Sequence, residues 1–173
     1  YENLAERTLA LAHRELRKDP LRGYTPDLAG FVGPVLRRCV ENGVPVIGNF
    51  GAANPMGAAM RLHELAKELG VKGLRVAVVE GDDLRDVIRD VATEQWGDEV
   101  PVDLSNTEIL AANAYLGAEP IADALDLEPH IVVTGRVTDS ALALGPLMQH
   151  FGWKVGDWDK MAAGVLVGHL LEC

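Results

Sequence analysis

Three acidic residues, Glu80, Asp82 and Asp83, stand directly after the apolar run 74–79. Paired carboxylates of this kind act as acid and base or hold a divalent cation. The same spacing also suits an Asp helix cap with two solvated neighbours. A second group, Gly135, Arg136, Thr138 and Asp139, follows the apolar run 131–133. An arginine there could clamp a carboxylate or phosphate; the bland alternative is an ion pair with Asp139 or Asp82. Ser140 has no GxSxG elbow and reads as a surface or capping residue.

The third group is the small-residue loop Gly48-Asn49-Phe50-Gly51-Ala52-Ala53-Asn54-Pro55. Small residues let a ligand approach the backbone. The loop lacks the Gly-Lys-Ser/Thr ending of a phosphate-binding loop and is not a GxGxxG fingerprint. Asn54 before Pro55 is equally a plain helix-capping pair. Asn113 stands near the end of a further apolar run, 109–115. Catalytic candidates are therefore Asp82, Asp83, Asp139 and Arg136. Ligand-binding candidates are Asn49, Gly51, Asn54, Glu80, Asn113, Gly135 and Thr138.

No metal site is expected. The five histidines, His13, His63, His130, His150 and His169, show neither HxH nor HExxH spacing and read as structural or solvated. Cys39 and Cys173 make neither a disulfide framework nor a CxxC motif, so the default setting is cytoplasmic. Cys39 reads as a core thiol, and Trp96, Trp153 and Trp158 as core or loop cover.

These groups must be positioned by elements legible in the hydrophobic pattern. Helices are expected over residues 4–17, from Pro26 behind a Thr25 cap to Gly43, over 55–69, from Asp83 to about 91, over 117–125, after Asp139, and from Trp158 onward. Pro146 should kink or split the helix after Asp139. Strands are expected at 44–47, 74–79, 109–115 and 131–133, with a loop over 93–106. The strands are continuous apolar runs alternating with helices, the pattern of a parallel sheet covered on both faces. The expected fold is α/β, a Rossmann-like doubly wound, mostly parallel sheet. Ligands bind such sheets beyond the carboxyl ends of the strands, where all three groups fall.

The chain has 173 residues, 48% hydrophobic and 24% charged, which suits one soluble globular domain. Its net charge of −10 and lack of any basic stripe exclude a nucleic-acid binder. No apolar run reaches the roughly 20 residues of a membrane span. Both ends read as cut, so residues 1–173 are expected to be an internal fragment of a longer domain.

The stretch Thr134-Gly135-Arg136-Val137-Thr138-Asp139-Ser140-Ala141-Leu142-Ala143-Leu144-Gly145-Pro146 resembles the acyclic terpene utilisation (AtuA-like) family. So do Leu4-Ala5-Glu6-Arg7-Thr8-Leu9-Ala10, Val78-Val79-Glu80-Gly81-Asp82-Asp83-Leu84, Ala112-Asn113-Ala114-Tyr115-Leu116-Gly117-Ala118 and Gly168-His169-Leu170-Leu171-Glu172-Cys173. One departure is Asn49-Phe50-Gly51-Ala52, where the family more often has Asn-Ala-Gly-Gly. The resemblance implies a longer domain. It also implies breakdown of acyclic terpenes through acyl-CoA intermediates. The leading expectation is an enzyme acting on a branched acyl-CoA or related carboxylate by hydration or carbon–carbon cleavage (hydratase or lyase type), with Arg136 and the helix start at Asn54 holding the anionic part and an acid among Asp82, Asp83 and Asp139 moving the proton. The alternatives are a non-catalytic subunit or binding module of a carboxylase or lyase system and, third, a nucleotide-binding domain. Partners implied are a small-molecule substrate, a carboxylase or a second copy; no cofactor is assigned.

Overall fold

A computed structural model of the chain describes residues 1–90 and 108–172. Three parallel strands, β1 (Val46–Gly48), β2 (Val76–Val79) and β3 (Ile131–Thr134), form an open sheet in the order β1-β3-β2. Val46 and Val76 both stand opposite Ile131, so the strands end nearly level. Six helices are described: α1 (Glu6–Lys18), α2 (Leu28–Glu41), α3 (Pro55–Glu68), α4 (Glu119–Leu125), α5 (Ala141–Phe151) and α6 (Trp158–Glu172).

Strand alternation sorts the core into two halves. Ile131 and Val133 of β3 pack with Leu28, Val32 and Leu36 of α2 and Ala58, Leu62 and Leu65 of α3. Val132 points the other way, among Ile121 of α4 and Ala141, Leu144 and Met148 of α5. Both faces of β3 are fully buried, which is why its sequence is an unbroken apolar run. Helices thus cover both faces of a small parallel α/β sheet.

Several local expectations fail for identifiable reasons. Residues 109–115 do not form a strand. They make one single bridge, Asn113 with Asp83, the next residue, Leu116, makes another with Val137, and the stretch runs along the loops beyond β2 and β3. Three alanines in seven positions give this stretch little strand preference. After Asp83 the chain makes only hydrogen-bonded turns as far as Asp90, not a helix. Helix α2 begins at Leu28, two residues after Pro26, with Asp27 rather than Thr25 at its N-cap. Pro146 sits inside α5, which runs unbroken to Phe151. Cys39 is half-buried against the α2–α3 core and Trp153 packs beside α5. Trp158 is exposed instead. The expected loop over 93–106, with Trp96, lies outside the described residues. Among the described residues, no helix is long and apolar enough to cross a membrane.

Candidate functional site

The loops beyond β2 and β3 meet through one side chain. Asp82 is 4% exposed, and its Oδ2 accepts from the Arg136 backbone N–H at 2.8 Å and from Asn113 Nδ2 at 2.9 Å. Gly135 permits this approach: a Cβ there would stand 2.4 Å from the Asp82 carboxylate. Asn113 Oδ1 in turn lies 2.9 Å from Nε2 of His13, which is fully buried on α1. A carboxylate only accepts, so Asn113 must turn its NH₂ to Asp82 and its oxygen to His13. His13 therefore carries its proton on Nε2. Nδ1 of His13 has no partner among the described residues.

Arg136 is 3% exposed. Its Nη1 donates to the Leu4 carbonyl at 2.5 Å, and its Nη2 donates to Asp139 Oδ1 at 2.6 Å and lies 3.9 Å from Glu6 Oε1. The guanidinium carbon sits 4.0 Å from the Tyr115 ring centroid, a close cation–π contact. The Tyr115 hydroxyl donates to Glu6. That hydrogen bond, a backbone hydrogen bond and the charge of Arg136 hold the Glu6 carboxyl below its ordinary value. The same bond to Glu6, with burial, pushes the Tyr115 hydroxyl upward, so it keeps its proton at neutral pH. Glu6, Leu9, Ala111, Ala112, Asn113, Tyr115 and Arg136 enclose a cavity of about 240 Å³.

A family model described as acyclic terpene utilisation family protein AtuA matches residues 1–173, the whole chain. The chain belongs to the AtuA family. Comparisons with curated proteins and with solved structures returned no match.

In this AtuA-family chain the sequence candidates divide. Asp82, Asn113, Gly135, Arg136 and Asp139 come together. Thr138 is half-buried beside them, its N–H donating to the Leu116 carbonyl. Asp83 turns outward and is chelated by Arg85; burial opposes ionisation there, but the Arg85 hydrogen bonds and charge hold its carboxyl below the usual range. Glu80 is exposed. Asn49 is fully buried, bonded through Nδ2 to Glu2 and through Oδ1 to the Asn3 N–H. Gly51 donates to the Thr134 carbonyl.

Asn54 is spent on structure. Its Oδ1 caps α3 at the Gly57 N–H, and its Nδ2 bonds the carbonyls of Pro20 and Arg22. It therefore does not converge on the Asp82–Arg136 cluster, and the capping reading of the Asn-Pro pair describes it. The Arg136–Asp139 ion pair, the bland alternative for this arginine, is present.

Glu6 and Tyr115 are not among the sequence candidates, and His13, read from sequence as structural or solvated, takes a buried structural place in the cluster. Tyr115 was recoverable, because in an extended stretch it shares a side with Asn113. Glu6, Leu9 and His13 recur at helical spacing on one face of α1, a stripe that mixes polar with apolar residues. A larger cavity, about 390 Å³, uses the opposite face of α1 at Thr8, Leu11, Ala12 and Glu15. Its walls are mainly apolar, and its charged members Glu15 and Arg22 pair loosely with each other at 3.9 Å. The smaller cavity is the one lined by Glu6, Tyr115 and Arg136. Among the described residues no group of three or more His, Cys, Asp or Glu side chains is placed to hold a metal.

Proposed function

We propose that this chain forms part of a catabolic enzyme that acts on a branched acyl-CoA or related carboxylate. We further read its three strands as part of a Rossmann-like doubly wound sheet. Family membership supports the pathway. The observation that carries the chemistry is the Glu6–Tyr115 pair, hydrogen-bonded at a cavity that Arg136 also lines. An ionised carboxylate beside a protonated phenol is an acid–base couple, and a guanidinium beside them stabilises developing negative charge.

Hydration of a carbon–carbon double bond conjugated to a carbonyl uses all three groups. Glu6 takes a proton from water as its oxygen adds to the β-carbon. Negative charge moves to the carbonyl oxygen, which rests against Arg136. Tyr115 gives its proton to the α-carbon and recovers one from Glu6 along their hydrogen bond. Asp82 and His13 do not touch substrate in this scheme; together with Asn113, which lines the cavity, they position the Arg136 loop.

The volume of about 240 Å³ is below that of a typical complete ligand site, so the cavity holds the reacting end and the remainder extends outside. Loss of a positioned general acid or base costs about 10²–10⁴-fold in rate. Glu6→Gln and Tyr115→Phe in the full-length protein should therefore lower kcat by at least about 10²-fold while KM changes little. Retention of near-normal kcat in either variant rejects the relay.

One observation favours the second reading, a non-catalytic subunit of a carboxylase or lyase complex. Both Nη atoms of Arg136 are already bonded within the chain. That reading expects no turnover from the purified protein, co-purification with an enzyme partner, and no effect of Glu6→Gln on the complex's rate.

A further inference from the structure

The charges around the cavity decide between an acyl thioester and a free carboxylate as substrate, provided that this cavity is the site proposed for the reaction. Arg136 supplies one positive charge. Asp139 at 2.6 Å and Glu6 at 3.9 Å supply two negative charges. Among the side chains that touch this guanidinium one negative charge is left in excess, the Asp82 carboxylate behind the Arg136 N–H adds another, and Glu6 itself lines the cavity. A free carboxylate entering there meets an arginine already matched and a second carboxylate unmatched. An uncharged oxygen acceptor meets no such repulsion.

A donor for that acceptor exists. The Nε–H of Arg136 is buried and has no hydrogen-bond partner among the described residues, although the side chain's other nitrogens are engaged. A buried donor without a partner is costly, so a ligand oxygen that reaches it gains more than an ordinary exposed contact would give. Nε is out of contact with solvent, so the guanidinium must slide slightly within its clamp. The 3.9 Å arm to Glu6 is the slack side of that clamp, because the Leu4 and Asp139 arms are at hydrogen-bond length. Of the remaining walls, Leu9, Ala111 and Ala112 are apolar, suited to a short branched hydrocarbon beside the carbonyl, while Asn113 and Tyr115 are polar.

We infer that the cavity between α1 and the Arg136 loop selects an uncharged carbonyl (thioester, ester or amide) and rejects the corresponding free carboxylate. The chain would act after acids have been activated as thioesters, and a preceding acyl-activating reaction must supply its substrate.

The test uses the full-length protein and two probes of equal shape, 3-methylbutanamide and 3-methylbutanoate, titrated at neutral pH. Binding is followed by NMR through the Arg136 Nε–H resonance, assigned with Arg136→Lys. The amide should bind at least about tenfold more tightly than the carboxylate, the effect of one unit charge a few ångströms away at near-surface screening. The amide should also shift the Nε–H signal. Glu6→Gln removes the negative charge that lines the cavity and keeps the shape, so it should narrow the gap between the two affinities. Equal or reversed affinities in the unsubstituted protein overturn the proposal. So does binding without movement of the Arg136 signal, and so does failure of both probes to bind. Selectivity without turnover would sink the acid–base relay and leave this inference standing. Turnover without selectivity would do the reverse.

Discussion

The loop after β1 (residues 48–54) and the loop after β3 (residues 134–140) both leave a parallel strand through glycine and both lead into a helix. Their polar groups go to different ends. In the first, Phe50 folds back over Gly48 into the core, Gly51 is pinned against Thr134 and Pro55, and Asn54 is consumed by capping α3. In the second, Gly135 opens room for a carboxylate from the neighbouring strand end, and Arg136 reaches a cavity. A glycine-rich strand end is thus not a site by itself. What distinguishes the second loop is that Arg136 is held by the Leu4 carbonyl, Asp139 and the Tyr115 ring at a cavity, while its Nε–H keeps no partner among the described residues.

The sharpest way to break this comparison is Phe50→Ala. Phe50 is fully buried and touches the Tyr1 ring at 5.5 Å between centroids. Its truncation should cost about 3–5 kcal/mol in denaturant unfolding. Probe binding at the Arg136 cavity should be unchanged in the fraction that remains folded. A parallel loss of binding would make the first loop part of the site.

Next in size is a matched pair of glycine substitutions. In Gly51→Ala the new Cβ would stand 2.6 Å from the Thr134 carbonyl oxygen and 2.7 Å from Pro55 Cα, both backbone atoms. Backbone must move, at about 1–3 kcal/mol. In Gly135→Ala the Cβ meets the Asp82 carboxylate, a side chain that can turn away. Gly135→Ala should unfold at a denaturant midpoint closer to the parent's, yet bind the amide probe more weakly, because Asp82 leaves the Arg136 N–H. If Gly51→Ala is the milder change in stability and the harsher in binding, the two loops have been assigned the wrong roles. Smaller again, Asn54→Ala should cost about 1 kcal/mol as a lost cap and leave binding untouched.

The α/β class and the three strands of the sheet were legible because each strand is an unbroken apolar run rich in β-branched residues, a pattern that two-sided burial explains. Asp82 and Arg136 lie together because they follow β2 and β3, whose ends reach one edge of the sheet; Asn113 joins them from a stretch that is not a strand. The role of residues 109–115 was not legible. Hydrophobicity alone put Ile109, Leu110 and the alanines in a strand, whereas three alanines give the stretch little preference for one. Glu6 and His13 were invisible for another reason. They lie about a hundred positions from their partners Tyr115 and Asn113. Nothing local distinguishes a buried histidine on an amphipathic helix from an exposed one. The bonding of Asn54 was readable as one of two alternatives, and only the positions of Pro20 and Arg22 decide between them.

The smallest effect expected is a pH dependence at His13, and it separates the loops again, because only the second is tied to α1 through a titrating group. Burial lowers the His13 value from 6.5; the Asn113 hydrogen bond opposes this, Arg85 adds to it, and Asp83 and Asp82 oppose it more weakly. The unfolded chain therefore binds a proton at higher pH than the folded chain does. Where the unfolded state holds more protons, stability rises with pH. Above the ordinary value of 6.5 both states are unprotonated and His13 carries no penalty; destabilisation grows as pH falls below it toward the depressed folded value. Urea midpoints measured from about pH 7.5 to about pH 5 should fall on acidification. His13→Gln can still donate to Asn113 Oδ1 but does not titrate, so its midpoints should fall less over the same interval. Carboxylates held below their ordinary values, such as Glu6 and Asp83, lose their contribution at lower pH and are common to both proteins, so the difference between the two curves isolates His13. A wild-type curve that rises on acidification, or one that His13→Gln leaves unchanged, would mean that the Asn113–Asp82 chain ends at Asn113 and that α1 is held to the second loop by Arg136 alone.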